Sequence, residues 1–168
     1  EYIDNFARAI MTTDTHPKWC SASIENSTLL GVAKGAGMIE PNMATMLSFF
    51  VTDAQLSSEQ LQTILRSVVN QSFNRISIDS DTSTSDTVII LANGLAGPVD
   101  IEIFEKILRN SSIQLAKEIA RDGEGSTKLI ELTVSGAESQ QMALQISKSI
   151  INSPLVKTAI HGADPNWG

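Results

Sequence analysis

Short apolar runs alternate along this chain with longer segments in which apolar residues recur at helical spacing. The run MLSFFV, residues 46–51, is short enough for a buried strand. A helix is predicted directly after it, because Ser57 and Gln60 form a capping box and apolar residues follow at helical spacing, namely Leu61, Ile64, Leu65, Val68, Val69 and Phe73. Strands that alternate with helices predict a layered α/β domain.

The remaining segments extend the same alternation. RISID and TVIILAN are predicted strands on either side of the polar string DSDTSTSD, and NGLAG is expected to end the second strand. A helix is predicted from Asp100 to the Gly123 region, a half-buried strand in TKLIELTVSG, and a last helix over 138–151. The first forty-odd residues predict loops and short strands. No repeat or linker divides the chain, so one continuous fold is expected.

Composition excludes several classes of protein. The net charge of -7 and the scattered Lys and Arg residues exclude a nucleic-acid partner. No stretch approaches the ~20 apolar residues of a membrane span, and the single Cys20 cannot form an internal disulfide, so a cytoplasmic protein is expected. The start at Glu1 and the ending DPNWG are typical of a processed piece of a longer protein.

Several familiar sites are excluded by missing parts. The sequence has no G-x-S-x-G motif, and its two histidines, His16 and His161, lack the spacing of metal ligands. GVAKGAG lacks the order of a phosphate-binding loop. DSDTSTSD begins like a calcium loop, but Thr84 and Ile90 stand where that loop needs Gly and Glu. Its side chains are instead expected to bond a local turn or to line a polar pocket.

Thr45 stands between Met-Ala and the apolar run, and two interpretations of it remain open. It could simply begin a buried strand. It could also be a nucleophile once the preceding peptide bond is cut, because an N-terminal threonine carries its α-amine as its own base. The ammonium of Lys34 would then increase the neutral fraction of that amine by like-charge repulsion.

Longer motifs, in a fixed order, carry a resemblance. They are AIMTTDTHPK, KGAGMIEPNMATML, DTSTSDT, DGEGSTKLIE and NSPLVKTAIHGADPNWG. Together they closely resemble the ornithine acetyltransferase (ArgJ) family. SIDSDTSTSDT and NSPLVKTAIHG also resemble the branch of that family associated with clavulanic acid biosynthesis, and the motifs do not separate the two branches.

The resemblance implies a layered α/β sandwich of the DmpA/ArgJ-like type, in a precursor that cleaves itself between Ala44 and Thr45. Residues 1–44 would then be the C-terminal part of an α chain, and residues 45–168 the N-terminal part of a β chain. The family moves an acetyl group from N-acetylornithine to glutamate through an acetyl-threonine, in arginine biosynthesis. It needs no resident cofactor, although bifunctional members also use acetyl-CoA, and it assembles as two α and two β chains.

The resemblance also assigns roles to residues. Thr45 is the nucleophile, and Glu124 contacts the amino group of the substrate. Lys34 binds substrate and increases the neutral fraction of the Thr45 α-amine. Thr12 matches a substrate-binding threonine, with Thr13 as its rival. Gly35 and Gly37 leave room for the reacting group, and Asp14 and Asn42 are either turn residues or part of the site. The family's oxyanion hole and its distal substrate contacts lie outside this chain, so these residues alone are expected to be inactive.

Two other functions remain possible on these residues. A related N-terminal-nucleophile aminopeptidase or amidase would pass the acyl group to water, which depends on how the pocket closes. An uncleaved fragment would instead serve as a structural module, with Thr45 as the first residue of a strand.

Overall fold

The structure is a computed structural model that describes residues 2–37, 46–79 and 85–165. The chain forms two compact units, Glu1–Glu124 and Gly125–Gly168, and each is described by itself. The first unit contains, in chain order, helix α1 (Tyr2–Ala9), strands β1 (Lys18–Ile24), β2 (Ser27–Lys34) and β3 (Leu47–Gln55), helix α2 (Ser58–Gln71), a short 3-10 helix (Phe73–Arg75), strand β4 (Thr87–Pro98) and helix α3 (Ile101–Arg121).

The strands form one four-stranded sheet in the order β1-β2-β3-β4. β1, β2 and β3 pair antiparallel, whereas β3 and β4 pair parallel through the α2 crossover. Lys34 lies opposite Leu47, and Leu47 lies opposite Thr87. The last residue of β2 and the first residues of β3 and β4 therefore lie side by side at one end of the sheet.

The core lies between one face of this sheet and helices α2 and α3. Its fully buried side chains include Ile24, Leu29 and Phe50 from the sheet, Val68 from α2, and Phe104, Leu108, Leu115 and Ile119 from α3. Helix α1 lies on the other face, where Phe6 contacts Phe49 edge to face at a ring separation of 5.7 Å. The sheet with helices packed on it confirms the predicted α/β fold.

Both predicted helix starts of this unit are confirmed. The Ser57 side chain accepts from the Gln60 N–H at 3.2 Å, and the Gln60 side chain accepts from the Ser57 N–H at 2.8 Å. Asp100 caps α3 by accepting from the N–H groups of Glu102 and Ile103. These bonds satisfy donors that the first helical turn leaves without partners.

Other predicted elements are wrong. RISID is not a strand: the 3-10 helix ends at Arg75, and residues 76–79 are irregular. β4 does not end at NGLAG but continues to Pro98, past a register shift between Thr52 and Ala54 of its partner. A bulge of this kind absorbs the left-handed backbone of Gly94 and Gly97, with φ of 74° and 83°. Helix α1 was not predicted.

The second unit contains α4 (Gln140–Ile151), which confirms the predicted last helix, and α5 (Pro154–Gly162), which was not predicted. Residues 127–135 are irregular, so the predicted strand in TKLIELTVSG is wrong. Alternation of apolar residues indicates a strand only where a partner strand supplies hydrogen bonds, and the described part of this unit holds helices alone. Across the described residues, none of the helices combines the length and the apolar character that crossing a bilayer requires.

Candidate active site

The candidate site is at the sheet end where β2 finishes and β3 and β4 begin. Lys34 is the final residue of β2, and residues 35–37 continue from it. Of the residues predicted to bind substrate, the structure describes Thr12, Lys34 and Glu124, and it also describes Thr13, Asp14, Gly35 and Gly37. Ala44, Thr45 and Asn42 lie outside the described residues, so the predicted nucleophile and cleavage site stay predictions.

Lys34 and Thr12 are in contact. The Lys34 residue is only 6% exposed, and its ammonium donates a hydrogen bond to the hydroxyl of Thr12 at 3.3 Å. Thr12 is exposed, in the loop between α1 and β1. A buried cation with an exposed hydroxyl partner is suited to an anionic group of a small ligand, because an ammonium carries three donors and its bond to Thr12 uses one of them.

The segment after Lys34 brings Glu124 to the same place. Glu124 donates its backbone N–H to the carbonyl of Ala36 at 2.8 Å. Its carboxylate lies against Gly37, where an added Cβ would be 2.9 Å from the carboxylate carbon. The predicted carboxylate and the predicted cation are therefore joined through one short run of backbone, residues 34–37.

The backbone conformation at position 35 requires a glycine. Its φ of 151° is a conformation that residues with a side chain rarely adopt. Its N–H donates to the Asp14 carboxylate at 2.7 Å. Asp14 is therefore a buried part of the site's framework and not merely a turn residue.

Asp86 belongs to this region, and sequence reasoning did not identify it as a site residue. Its carboxylate accepts from the N–H of Met46, the residue that follows Thr45 in sequence, at 2.5 Å. Burial raises the pKa of Asp86 to about 6, although the Met46 N–H and the charge of Lys34 both act to lower it. Asp86 ends the string DSDTSTSD, whose side chains are predicted to bond a local turn or to line a polar pocket. The hydrogen bond from Met46 spans 40 positions of sequence, so Asp86 does not bond a local turn through this contact.

A buried salt bridge lies in the framework of the site. The Lys18 ammonium is 2.7 Å from Asp14 Oδ1 and 2.5 Å from Asp122 Oδ2. Burial alone would raise the pKa of Asp14, but hydrogen bonds from the Gly35 N–H, from Lys18 and from the Thr12 N–H outweigh it and hold the pKa below its ordinary value. The pKa of Asp122 is likewise lowered, since the bonds from Lys18 and Thr15 outweigh burial.

The two histidines have structural partners. His16 Nδ1 is 3.5 Å from Asp122 Oδ1, and His16 Nε2 is 3.4 Å from Glu118 Oε2. In the second unit, His161 Nδ1 is 3.0 Å from the hydroxyl of Thr127. Both histidines are therefore partnered by side chains of their own unit, as is typical of structural histidines.

Comparison with known proteins gives consistent matches. A family model described as the ArgJ family matches residues 1–168. The chain is 54% identical over 166 residues to glutamate N-acetyltransferase Oat2 of Streptomyces clavuligerus, a match that covers 99% of this chain and 42% of that protein. It is 59% identical over 165 residues to arginine biosynthesis bifunctional protein ArgJ 2 of Clostridium acetobutylicum, covering 98% of this chain and 42% of that protein.

A solved structure matches as well. The crystal structure of arginine biosynthesis bifunctional protein ArgJ from Bacillus halodurans superposes with a TM-score of 0.70 at 50% sequence identity. The superposition covers 74% of this chain and 62% of that chain. The chain spans about two fifths of the length of the curated relatives that it matches.

Proposed function

Because this chain belongs to the ArgJ family, we propose that the protein that carries it is a glutamate N-acetyltransferase. It moves the acetyl group of N-acetylornithine to glutamate in arginine biosynthesis. The observation that carries this proposal is the convergence of Thr12, Lys34 and Glu124 on residues 34–37, which lead along the chain to Thr45. The motifs that contain these residues are those on which the family resemblance rests.

Thr45 is the proposed nucleophile, and self-cleavage before it prepares the reaction. Its hydroxyl attacks the carbonyl carbon of Ala44, the acyl group moves from nitrogen to oxygen, and water hydrolyses the resulting ester. The α-amine released on Thr45 then accepts the hydroxyl proton in each catalytic cycle. The protein therefore consists of an α chain that ends at Ala44 and a β chain that begins at Thr45.

The transfer itself has two half-reactions. The Thr45 oxygen attacks the acetyl carbon of N-acetylornithine, the carbon–nitrogen bond breaks, and the proton from the hydroxyl goes to the departing amine of ornithine. The amine of glutamate then attacks the acetyl-threonine ester, which releases N-acetylglutamate and returns a proton to the Thr45 oxygen. The acetyl group is never free in solution, so no separate activation is needed.

Lys34 and Glu124 suit the two charged ends of these substrates. Ornithine and glutamate both carry a carboxylate, which the Lys34 ammonium pairs with, while the Thr12 hydroxyl supplies a second polar contact. The Glu124 carboxylate pairs with a substrate amino group. Charge-assisted bonds of this kind are shorter and stronger than neutral ones, and they fix the orientation of a flexible amino acid.

The proposal also covers the cellular compartment, the assembly and the co-substrates of the enzyme. We place the activity in the cytoplasm, in an assembly of two α and two β chains. No resident cofactor takes part, and acetyl-CoA serves as a second acetyl donor, in keeping with the relatives named as bifunctional proteins.

Intact-mass spectrometry of the full-length protein and its Thr45→Ala variant tests the nucleophile. We expect two chains from the wild type, with a new N-terminus at Thr45, and one uncut chain from the variant. Incubation with N-acetylornithine should then add one acetyl group to the β chain only, and glutamate should remove it.

Two results would contradict the proposal. An uncut chain in both proteins would indicate a structural module in which Thr45 only begins a strand. Loss of the acetyl group to water at the same rate with and without glutamate would indicate an amidase, because a transferase must exclude water from its second half-reaction.

A further inference from the structure

A lysine is completely enclosed in the first unit, where it contacts two carboxylates. The side chain of Lys18, the first residue of β1, is 0% exposed. The side chains of Asp14 and Asp122 that it contacts are 0% and 3% exposed. Lys18 also donates to the carbonyl of His16 at 3.5 Å, so the ammonium has three acceptors and needs no water.

Asp14 connects this cluster to the segments of Thr12 and Lys34. One of its carboxylate oxygens accepts from Lys18 and from the N–H of Gly35, each at 2.7 Å. The other accepts from the N–H of Thr12 at 3.2 Å. Gly35 directly follows Lys34, so one carboxylate holds the backbone beside both of these residues.

Asp122 connects the same cluster to the segment of Glu124. It is the C-cap residue of α3 and lies two positions before Glu124. Its carboxylate accepts from the backbone N–H of Thr15 at 3.0 Å and also from the Thr15 hydroxyl. The loop before β1 is thereby tied to the end of α3, although the two are 107 positions apart in sequence.

The cluster depends on its cation. Without the ammonium, two carboxylates would be buried without a positive partner, and burying an uncompensated charge is strongly unfavourable. They would separate or take up a proton, and either change would release the backbone groups that they hold. The neighbouring His16 is only partly buried and contacts Asp122 at 3.5 Å, so it does not replace the ammonium between the two carboxylates.

We propose that Lys18 is a positioning residue for substrate binding, acting through Asp14 and Asp122. The buried salt bridge holds the three segments that carry Thr12, Lys34 and Glu124 in one arrangement, and Lys18 itself does not touch the substrate. This inference rests on the proposed function, because it assumes that those three residues bind the substrate.

The test is a steady-state comparison of acetyl transfer by the full-length wild type, Lys18→Met and Leu108→Ala. Leu108 is fully buried in the middle of α3, so its variant lowers the melting temperature without touching the salt bridge. Rates are normalised to the amount of acetyl-threonine formed, which counts only folded active sites. Lys18→Met should displace a substrate-binding side chain, and loss of one charge-assisted contact predicts a rise on the order of tenfold in the KM for the amino-acid substrates. Leu108→Ala should leave this KM unchanged.

An unchanged KM in Lys18→Met would overturn the positioning role and leave Lys18 as a purely structural residue. If this variant does not fold, Asp122→Ala and Asp122→Asn decide. The asparagine oxygen can still accept from Lys18, and its amide N–H can donate to the hydroxyl oxygen of Thr15. The asparagine variant should therefore keep most of the affinity that the alanine variant loses. Equal KM values for the two variants would overturn the inference.

The wild type in the same assay separates the two proposals. A wild type without acetyl transfer overturns the proposed function, and this inference with it. A wild type that transfers acetyl while Lys18→Met or Asp122→Ala keeps its KM overturns this inference alone.

Discussion

The carboxylate of Glu124 occupies the space that a side chain on Gly37 would need. A Cβ on Gly37 would lie 2.9 Å from both Cδ and Oε1 of Glu124, which is closer than van der Waals contact allows. Because the carboxylate is the free end of a flexible and exposed side chain, it would move rather than strain the backbone. The absence of a side chain at Gly37 therefore sets where the acidic group of the candidate site lies.

Gly37→Ala should weaken substrate binding with little loss of stability. Displacing the Glu124 carboxylate is expected to raise KM by roughly tenfold, the value of one charge-assisted hydrogen bond, while the free energy of unfolding changes by only about 0.5 kcal/mol. Gly162→Ala is the matched control, since a Cβ at Gly162 meets no atom of the described residues within 4 Å. Kinetics and thermal melting of both variants check this. An unchanged KM in Gly37→Ala would show that Glu124 does not bind the substrate.

Thr12→Val should lower kcat/KM more than Thr13→Val does. The Thr12 hydroxyl accepts from the Lys34 ammonium, and the loss of a hydrogen bond to a charged group predicts a fall of about tenfold or more. Valine retains the shape of threonine, so packing is conserved in both variants. Steady-state kinetics of the pair measures the difference, and the reverse order would transfer the substrate-binding role to Thr13.

Asp86 should make the protein less stable as the pH rises from about 4 to 6. The pKa of Asp86 is raised from 3.8 to about 6 in the folded state, so the folded protein keeps a proton that the unfolded chain releases in this range. Stability falls with pH wherever the folded state binds more protons.

Asp86→Asn should remove this contribution, since the amide still accepts from the Met46 N–H but does not ionise. The difference in unfolding free energy between the variant and the wild type should therefore change by roughly 1–2 kcal/mol in favour of the variant as the pH rises from 4 to 7. This value is smaller than the full pKa shift would give, because Asp86 is only partly buried. Urea unfolding at a series of pH values measures this. Parallel pH profiles for the two proteins would show that Asp86 has an ordinary pKa.

Gly31→Ala should destabilise the core. A Cβ at Gly31 would lie 2.6 Å from a ring carbon of Phe50 and 2.9 Å from the sulfur of Cys20. Both of these side chains are buried, so neither can move freely, and overpacking of this kind costs about 1–3 kcal/mol. The double variant Gly31→Ala/Phe50→Leu should recover part of the loss in a thermal melt, and a single variant as stable as the wild type would contradict the tight packing.

The elements that were predicted correctly are those whose determinants are local. The capping box of Ser57 and Gln60, and the cap at Asp100, are bonds between residues two or three positions apart, so the sequence displays both partners together. The strand predicted around Leu132 failed for the opposite reason. Alternating apolar residues there have no partner strand among the described residues of their unit, and Leu132 is left 37% exposed.

The site divides in the same way. Thr12, Lys34 and Glu124 could be chosen beforehand because they stand in motifs that resemble those of a known family. Asp86 and Lys18 could not, because their roles arise from contacts across 40 and 104 positions of sequence. The Asp86 contact depends on the pairing of β3 with β4, and the Lys18 contact depends on the packing of α3 against β1.

The sequence by itself determined the family, the starts of helices α2 and α3 and the residues that are candidates for chemistry. These depend on local spacing and on the order of motifs, both of which are visible in one dimension. Only the tertiary structure decided which candidates meet, that Lys18 is enclosed by two carboxylates, and that Asp86 bonds the residue after Thr45. Burial and partner distance set the charge state and the position of a group, and both are properties of chain segments brought together by folding.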